Sequence, residues 1–107
     1  MQFQLSGQHF EVTQALRDHA TAKLERLTRL DDKLISLVVV LSVDKLQQFA
    51  EGTLCVSGTK LHAEADEADM YVSIDIVFDK LVSQLRKHRE KISDKHQQEV
   101  REARLYG

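Results

Sequence analysis

The chain has no proline and no tryptophan, and only four glycines and one cysteine among 107 residues. With neither proline-rich nor glycine-rich stretches, nothing in the composition marks a linker, so a single domain is expected. The lone Cys55 has no partner for an internal disulfide, which suits a reducing compartment and leads us to expect a cytoplasmic protein. Long apolar runs are lacking as well. The longest, Leu37 to Leu41, is far short of the ~20 residues a membrane-spanning helix needs. The opening MQFQLSG alternates apolar and polar residues and has no charged region followed by an apolar one, so it does not read as a secretion signal.

Catalytic patterns are missing too. The five histidines (His9, His19, His62, His88 and His96) are scattered, with no HExxH and no paired metal spacing. There is no GxSxG elbow and no glycine-rich phosphate loop. Neither an enzyme nor a cofactor nor a metal site is expected. The acidic run EADEAD, residues 64–69, lacks the glycine and spacing of a calcium loop. Its acids fit the positive end of a helix dipole better. Cys55, between Leu54 and Val56, reads as a structural strand residue, and His62 as an exposed or hydrogen-bonded one. Tyr71 is expected to pack over the sheet edge, with stacking on a base as the rarer role.

What remains is ordinary globular material: 42% hydrophobic and 30% charged residues. The formal net charge is −2, yet it is unevenly spread. From Asp44 to Asp79 eight acidic residues face two basic ones, whereas from Lys80 to Lys95 six basic residues face two acidic ones. Such a basic stripe on a near-neutral chain is an electrostatic footprint for a polyanion.

Hydropathy periods give the elements. Phe3 and Leu5 alternate with polar residues in a short strand that Gly7 should end. Leu16, Ala20, Leu24 and Leu27 recur at helical spacing, behind Thr13 as N-cap and ahead of the polar Asp31 to Lys33. Residues 34–45 are rich in β-branched side chains and read as a central strand buried on most of both faces. Residues 53–58 and 60–65 read as two further strands turning near Gly58. A second helix is expected from the acids at 66–69 to about Lys95, with Met70, Ile74, Phe78, Leu81, Leu85 and Ile92 as its apolar stripe. The order is β-α-β-β-β-α. A crossover helix implies two parallel strands, and the last three strands form an antiparallel meander. Each helix has one apolar stripe, so the expected fold is α+β, a two-layer sandwich with both helices on one face of a four-stranded sheet.

At 100° per residue, Lys80, Gln84, Lys87 and Lys91 align as one ridge on the second helix, with Arg86 and Arg89 on the opposite flank. On the first helix Lys23 borders the apolar stripe, while Arg26, Arg29 and Lys33 point away from it. Two parallel basic ridges suit rows of phosphates. Basic residues are also good helix formers that commonly line solvated faces.

Three stretches together resemble a known family. These are HFEVTQALRDHATAKLERL near the start, VVVLSVDK in the middle, and LHAEADEADMYVSIDIVFDKLVSQLRKHREK at the end. They are similar to the short-form ribosome hibernation promoting factors, a family that also contains the ribosome-associated inhibitor protein Y. The most specific part is Asp69 to Lys87. The resemblance implies the β-α-β-β-β-α fold over residues 1–95, a ribosome-binding domain, followed by a polar, flexible tail at 96–107. It implies a small-subunit partner bound in the mRNA and tRNA channel near the decoding centre, with contacts to rRNA. Translation would be blocked in stationary phase or stress, alongside a ribosome modulation factor. It further implies a monomer off the ribosome, no membrane and no small-molecule substrate. An older description of the family, as modulators of an alternative sigma factor, keeps a protein-interaction module as the second reading. The family's basic positions match at Arg17, Lys23, Arg26, Lys80, Gln84, Lys87 and Lys91, and the helical wheel adds Arg29, Arg86 and Arg89. One position departs: Ser83 stands where family members often carry arginine, and Arg86 is the nearest substitute. The 107 residues leave no room for the long form's C-terminal dimerisation domain, and the resemblance does not decide between the two short subtypes.

Overall fold

The computed structural model describes the backbone of residues 1–106 and the side chains of residues 1–90. Six elements follow one another: β1 Gln2–Gln8, α1 Gln14–Leu30, β2 Leu34–Asp44, β3 Gln47–Val56, β4 Thr59–Glu67 and α2 Met70–Tyr106. The sheet order is β1-β2-β3-β4. β1 runs parallel to β2, as its connection through α1 requires, and β2, β3 and β4 form an antiparallel meander.

The ends of α1 are chemically determined. Thr13 Oγ1 accepts a bond from the Leu16 N–H at 3.2 Å, and at the other end the Asp31 N–H donates to the Leu27 carbonyl at 3.2 Å. α2 starts behind Asp69, whose Oδ1 accepts from the Tyr71 N–H at 2.8 Å. One sheet face is covered. Leu37, Val39 and Leu41 of β2 and Ala50 and Leu54 of β3 are buried against Leu16, Ala20 and Leu27 of α1 and against Ile74, Val77, Phe78, Leu81 and Leu85 of α2. Gly52 lets α2 sit low on the sheet, because a Cβ there would lie 2.9 Å from Val77 Cγ1. Among the described residues Ser73 is the one fully buried polar side chain, and its hydroxyl donates to the Gln48 carbonyl at 2.6 Å, tying the start of α2 to β3.

Five details differ from expectation. β2 is central in the sheet order but covered on one face only: Ile35, Val38 and Val43 are exposed. Its β-branched content reflects strand propensity, not double burial. A register irregularity between Leu34 and Ser36 lets Leu34 and Leu37, three apart, both face the core. β3 begins at Gln47, well before residue 53, because a two-residue turn at Lys45 and Leu46 closes the hairpin without glycine or asparagine; Lys45 takes φ 57° instead. β4 continues to Glu67, so Asp66 and Glu67 belong to the strand and Asp69 alone serves the helix start. β1 passes through Gly7, where the Phe10 carbonyl folds against the backbone and leaves no space for a side chain. α2 itself runs past the expected end near Lys95. Lys91 and the tail at 96–107 lie outside the residues whose side chains are described.

Candidate nucleic-acid interface

The ridge on α2 borders the outer edge of the sheet. The two-residue turn that pairs Val56 with Thr59 sets the hydrogen-bonding alternation along β4, so every second residue turns its carbonyl away from β3. His62 and Glu64 are two of these. Gln84 Nε2 donates to the His62 carbonyl at 2.7 Å, and Lys80 Nζ donates to the Glu64 carbonyl at 2.8 Å. Two expected RNA-contact residues therefore also cover an edge strand that would otherwise offer unpaired acceptors to another chain. An ammonium has three donors, so Lys80 keeps two and its charge for a further ligand. Lys87 lies on the same flank, exposed, beside a shallow depression lined with Thr59, Leu61, Gln84 and His88.

The opposite flank of α2 faces α1 across a ladder of charge. His19 Nε2 lies 2.7 Å and Lys23 Nζ 3.5 Å from Asp75 Oδ1. Arg26 donates to Asp79 Oδ1 at 2.7 Å. The Arg89 guanidinium donates to the Leu30 carbonyl at the end of α1, where an unpaired acceptor and the negative end of the helix dipole both favour a cation. Arg26 thus reaches across to α2 instead of pointing away from the packed face. Arg29 pairs with Glu25 one turn earlier on its own helix, at 3.6 Å. Tyr71 packs edge-to-face on His19, ring centres 5.0 Å apart, between the helices and not over the sheet edge. Arg17, Arg86 and Lys87 are exposed and have no ion-pair partner among the described residues.

The site residues therefore fall into two rows on the helix layer: Lys80, Gln84 and Lys87 along the β4 edge, and Lys23, Arg26 and Arg89 along the groove between the helices. Arg86 lies two turns beyond Asp79 and continues the second row. Arg17 sits about 120° around α1 from Lys23 and joins neither. Ser83 is exposed on the outer face, three residues before Arg86. Sequence reasoning missed Asp75 and Asp79 as the partners of α1. A signal was present: His19, Lys23 and Arg26 at spacings of four and three face two acids at a spacing of four. The Arg26–Asp79 pair is exposed, with side chains 46% and 61% accessible. An ion pair of that kind contributes about 0–1 kcal/mol, so a phosphate can replace the carboxylate at small cost. The histidine on the sheet behaves as read: His62 Nδ1 lies 3.1 Å from Thr53 Oγ1.

This architecture, a four-stranded sheet with both helices on one side, is shared with two proteins of solved structure. A ribosomal subunit interface protein from Coxiella burnetii matches with a TM-score of 0.80 and 28% identity, covering 84% of this chain and 99% of its own. The N-terminal domain of Thermus thermophilus protein Y matches with a TM-score of 0.77 and 34% identity, covering 82% and 99%. The chain belongs to the family described as Sigma 54 modulation protein / S30EA ribosomal protein, whose model matches residues 3–93. It is 48% identical over 91 residues to the ribosome hibernation promoting factor of Pseudomonas putida, covering 85% of this chain and 89% of that one. It is 41% identical over 92 residues to that of Escherichia coli, covering 86% and 97%.

Proposed function

We propose that this protein is a ribosome hibernation factor that binds the small ribosomal subunit through its helix layer and blocks translation by occupying the mRNA and tRNA channel near the decoding centre. The observation that carries this reading is the family match over residues 3–93, whose span contains both rows of donors. The rows supply positive charge and N–H donors from two helices packed side by side, a form suited to the phosphates of folded rRNA and poorly suited to reading base edges. Inhibition is steric: the protein and the translating ligands compete for one space. The setting is stationary phase or stress in the cytoplasm, with the protein monomeric off the ribosome and a ribosome modulation factor acting beside it. Relatives named for hibernation at 41–48% identity favour this reading over action on a sigma factor.

The test is competition on purified small subunits. The protein should co-sediment with them, and initiator tRNA and mRNA added together should displace it, leaving intact rRNA and active subunits. Full simultaneous occupancy by the protein and P-site tRNA, or cleaved rRNA, would refute the steric mechanism.

A further inference from the structure

The sheet face turned away from the helices has no covering element among the described residues. Strand register sets its side chains in rows. Val40, Glu51 and Glu64 lie abreast on β2, β3 and β4, and Ser42, Phe49 and Asp66 lie abreast in the next row. Together they line a shallow depression that Gln8 closes on the β1 side. Its floor is apolar, with the half-buried Val40 and Phe49, and the exposed Val38 lies one row away. Its wall is acidic. Glu51 and Glu64 stand directly opposite each other, in the kind of pair whose backbones do not exchange hydrogen bonds and whose side chains are therefore closest. Like charges in that arrangement repel. Among the described residues the only side-chain ion-pair contact to them comes from His62, whose Nε2 lies 3.4 Å from Glu51 Oε1, while the nearby Lys80 ammonium is held at the strand edge by the Glu64 backbone carbonyl. Glu64 and Asp66 have no ion-pair partner there.

An apolar floor with an aromatic ring beside repelling carboxylates selects among partners. A polyanion is repelled. A purely apolar partner would strip water from three carboxylates without replacing it. A guanidinium satisfies both parts of the surface, because it is flat and weakly hydrated, stacks on a ring, and pairs with a carboxylate through two parallel N–H donors. We propose that the open sheet face docks an extended, arginine-rich protein segment, with a guanidinium over Phe49 paired to Glu51, Glu64 and Asp66. The proposal does not rest on ribosome binding, since this face lies opposite the helix layer.

An amide NMR titration of the full chain tests it. The probe is a nine-residue peptide of alternating arginine and glycine, run beside the same peptide with neutral citrulline for arginine, and beside calcium chloride. The arginine peptide should shift the amides of Val40, Phe49, Glu51, Glu64 and Asp66 to saturation, and the citrulline peptide and calcium should not. Glu64→Gln with Asp66→Asn should weaken peptide binding about tenfold. Phe49→Leu, which keeps the floor apolar, should weaken it about threefold by removing the ring. Retained amide dispersion establishes that each variant is folded, and Lys87→Glu on the far layer should leave peptide affinity unchanged. Shifts confined to helix acids such as Asp18 and Glu25 would overturn the proposal. So would equal response to calcium or citrulline, or undiminished affinity in folded variants of both kinds.

Discussion

Leu81 and Lys87 lie within two turns of each other on α2 and obey different physics. Leu81 is fully buried under the helix beside Gly52. Leu81→Ala should cost about 2–5 kcal/mol, through lost transfer energy and the cavity left behind. Chemical denaturation would show this as a lower midpoint. Lys87 is exposed, with no ion-pair partner among the described residues. Lys87→Glu should leave stability within about 0.5 kcal/mol while sharply weakening small-subunit binding in a sedimentation assay. An unfolded Lys87→Glu protein would show that Lys87 packs instead of pointing outward. Gly7 makes a third kind of demand. The Phe10 carbonyl occupies the place of a Cβ, so Gly7→Ala forces backbone to move and should lower the thermal midpoint.

Lys80 and Gln84 act together on β4, each holding one outward carbonyl. Replacing both with alanine removes the cover from a nine-residue edge strand and leaves its acceptors open to another chain. The double variant should self-associate with rising concentration, visible in analytical ultracentrifugation, whereas Lys87→Glu should stay in its original state. A double variant that behaves like the parent would mean that the edge is guarded by something other than these two bonds. The groove between α1 and α2 poses the complementary question. Asp79→Asn removes the partner of Arg26 but keeps the shape, so stability should fall by no more than about 1 kcal/mol. Ribosome affinity should rise, since Arg26 no longer shares its charge. A fall in affinity would show that holding Arg26 in place matters more than freeing it.

For the molecule as a whole, the two layers carry different charge. The helix layer presents its cations in rows, while the open sheet face gathers Glu51, Glu64 and Asp66. Binding led by phosphates releases counterions, so the affinity for small subunits should fall linearly with salt on logarithmic axes. Sedimentation across a salt series checks this, and a flat response would remove phosphate contacts from the account. The unequal faces also orient the protein at a polyanion, since the sheet side is repelled where the helix side is drawn in.

Much of the fold was legible in the chain itself. Period-2 and period-3.6 patterns are local, and they placed β1, α1, most of β2 and the start of α2, including Thr13 as the α1 cap. The order of elements then left few topologies, because a crossover helix demands parallel strands and a meander does not. The hairpin at Lys45 was hidden because neither residue of its turn is one that favours positive φ. Tertiary structure decided what the cations touch. A helical wheel knows the flank on which a side chain leaves its helix but not what stands beside that flank, so the engagement of Lys80 and Gln84 by β4 and of Lys23 and Arg26 by Asp75 and Asp79 was not visible from periodicity. The same holds for the open face of β2. Val and Ile suit a pleated strand whether one side is buried or two, and only the packing of both helices on one face left the other to Val38, Val40 and Phe49.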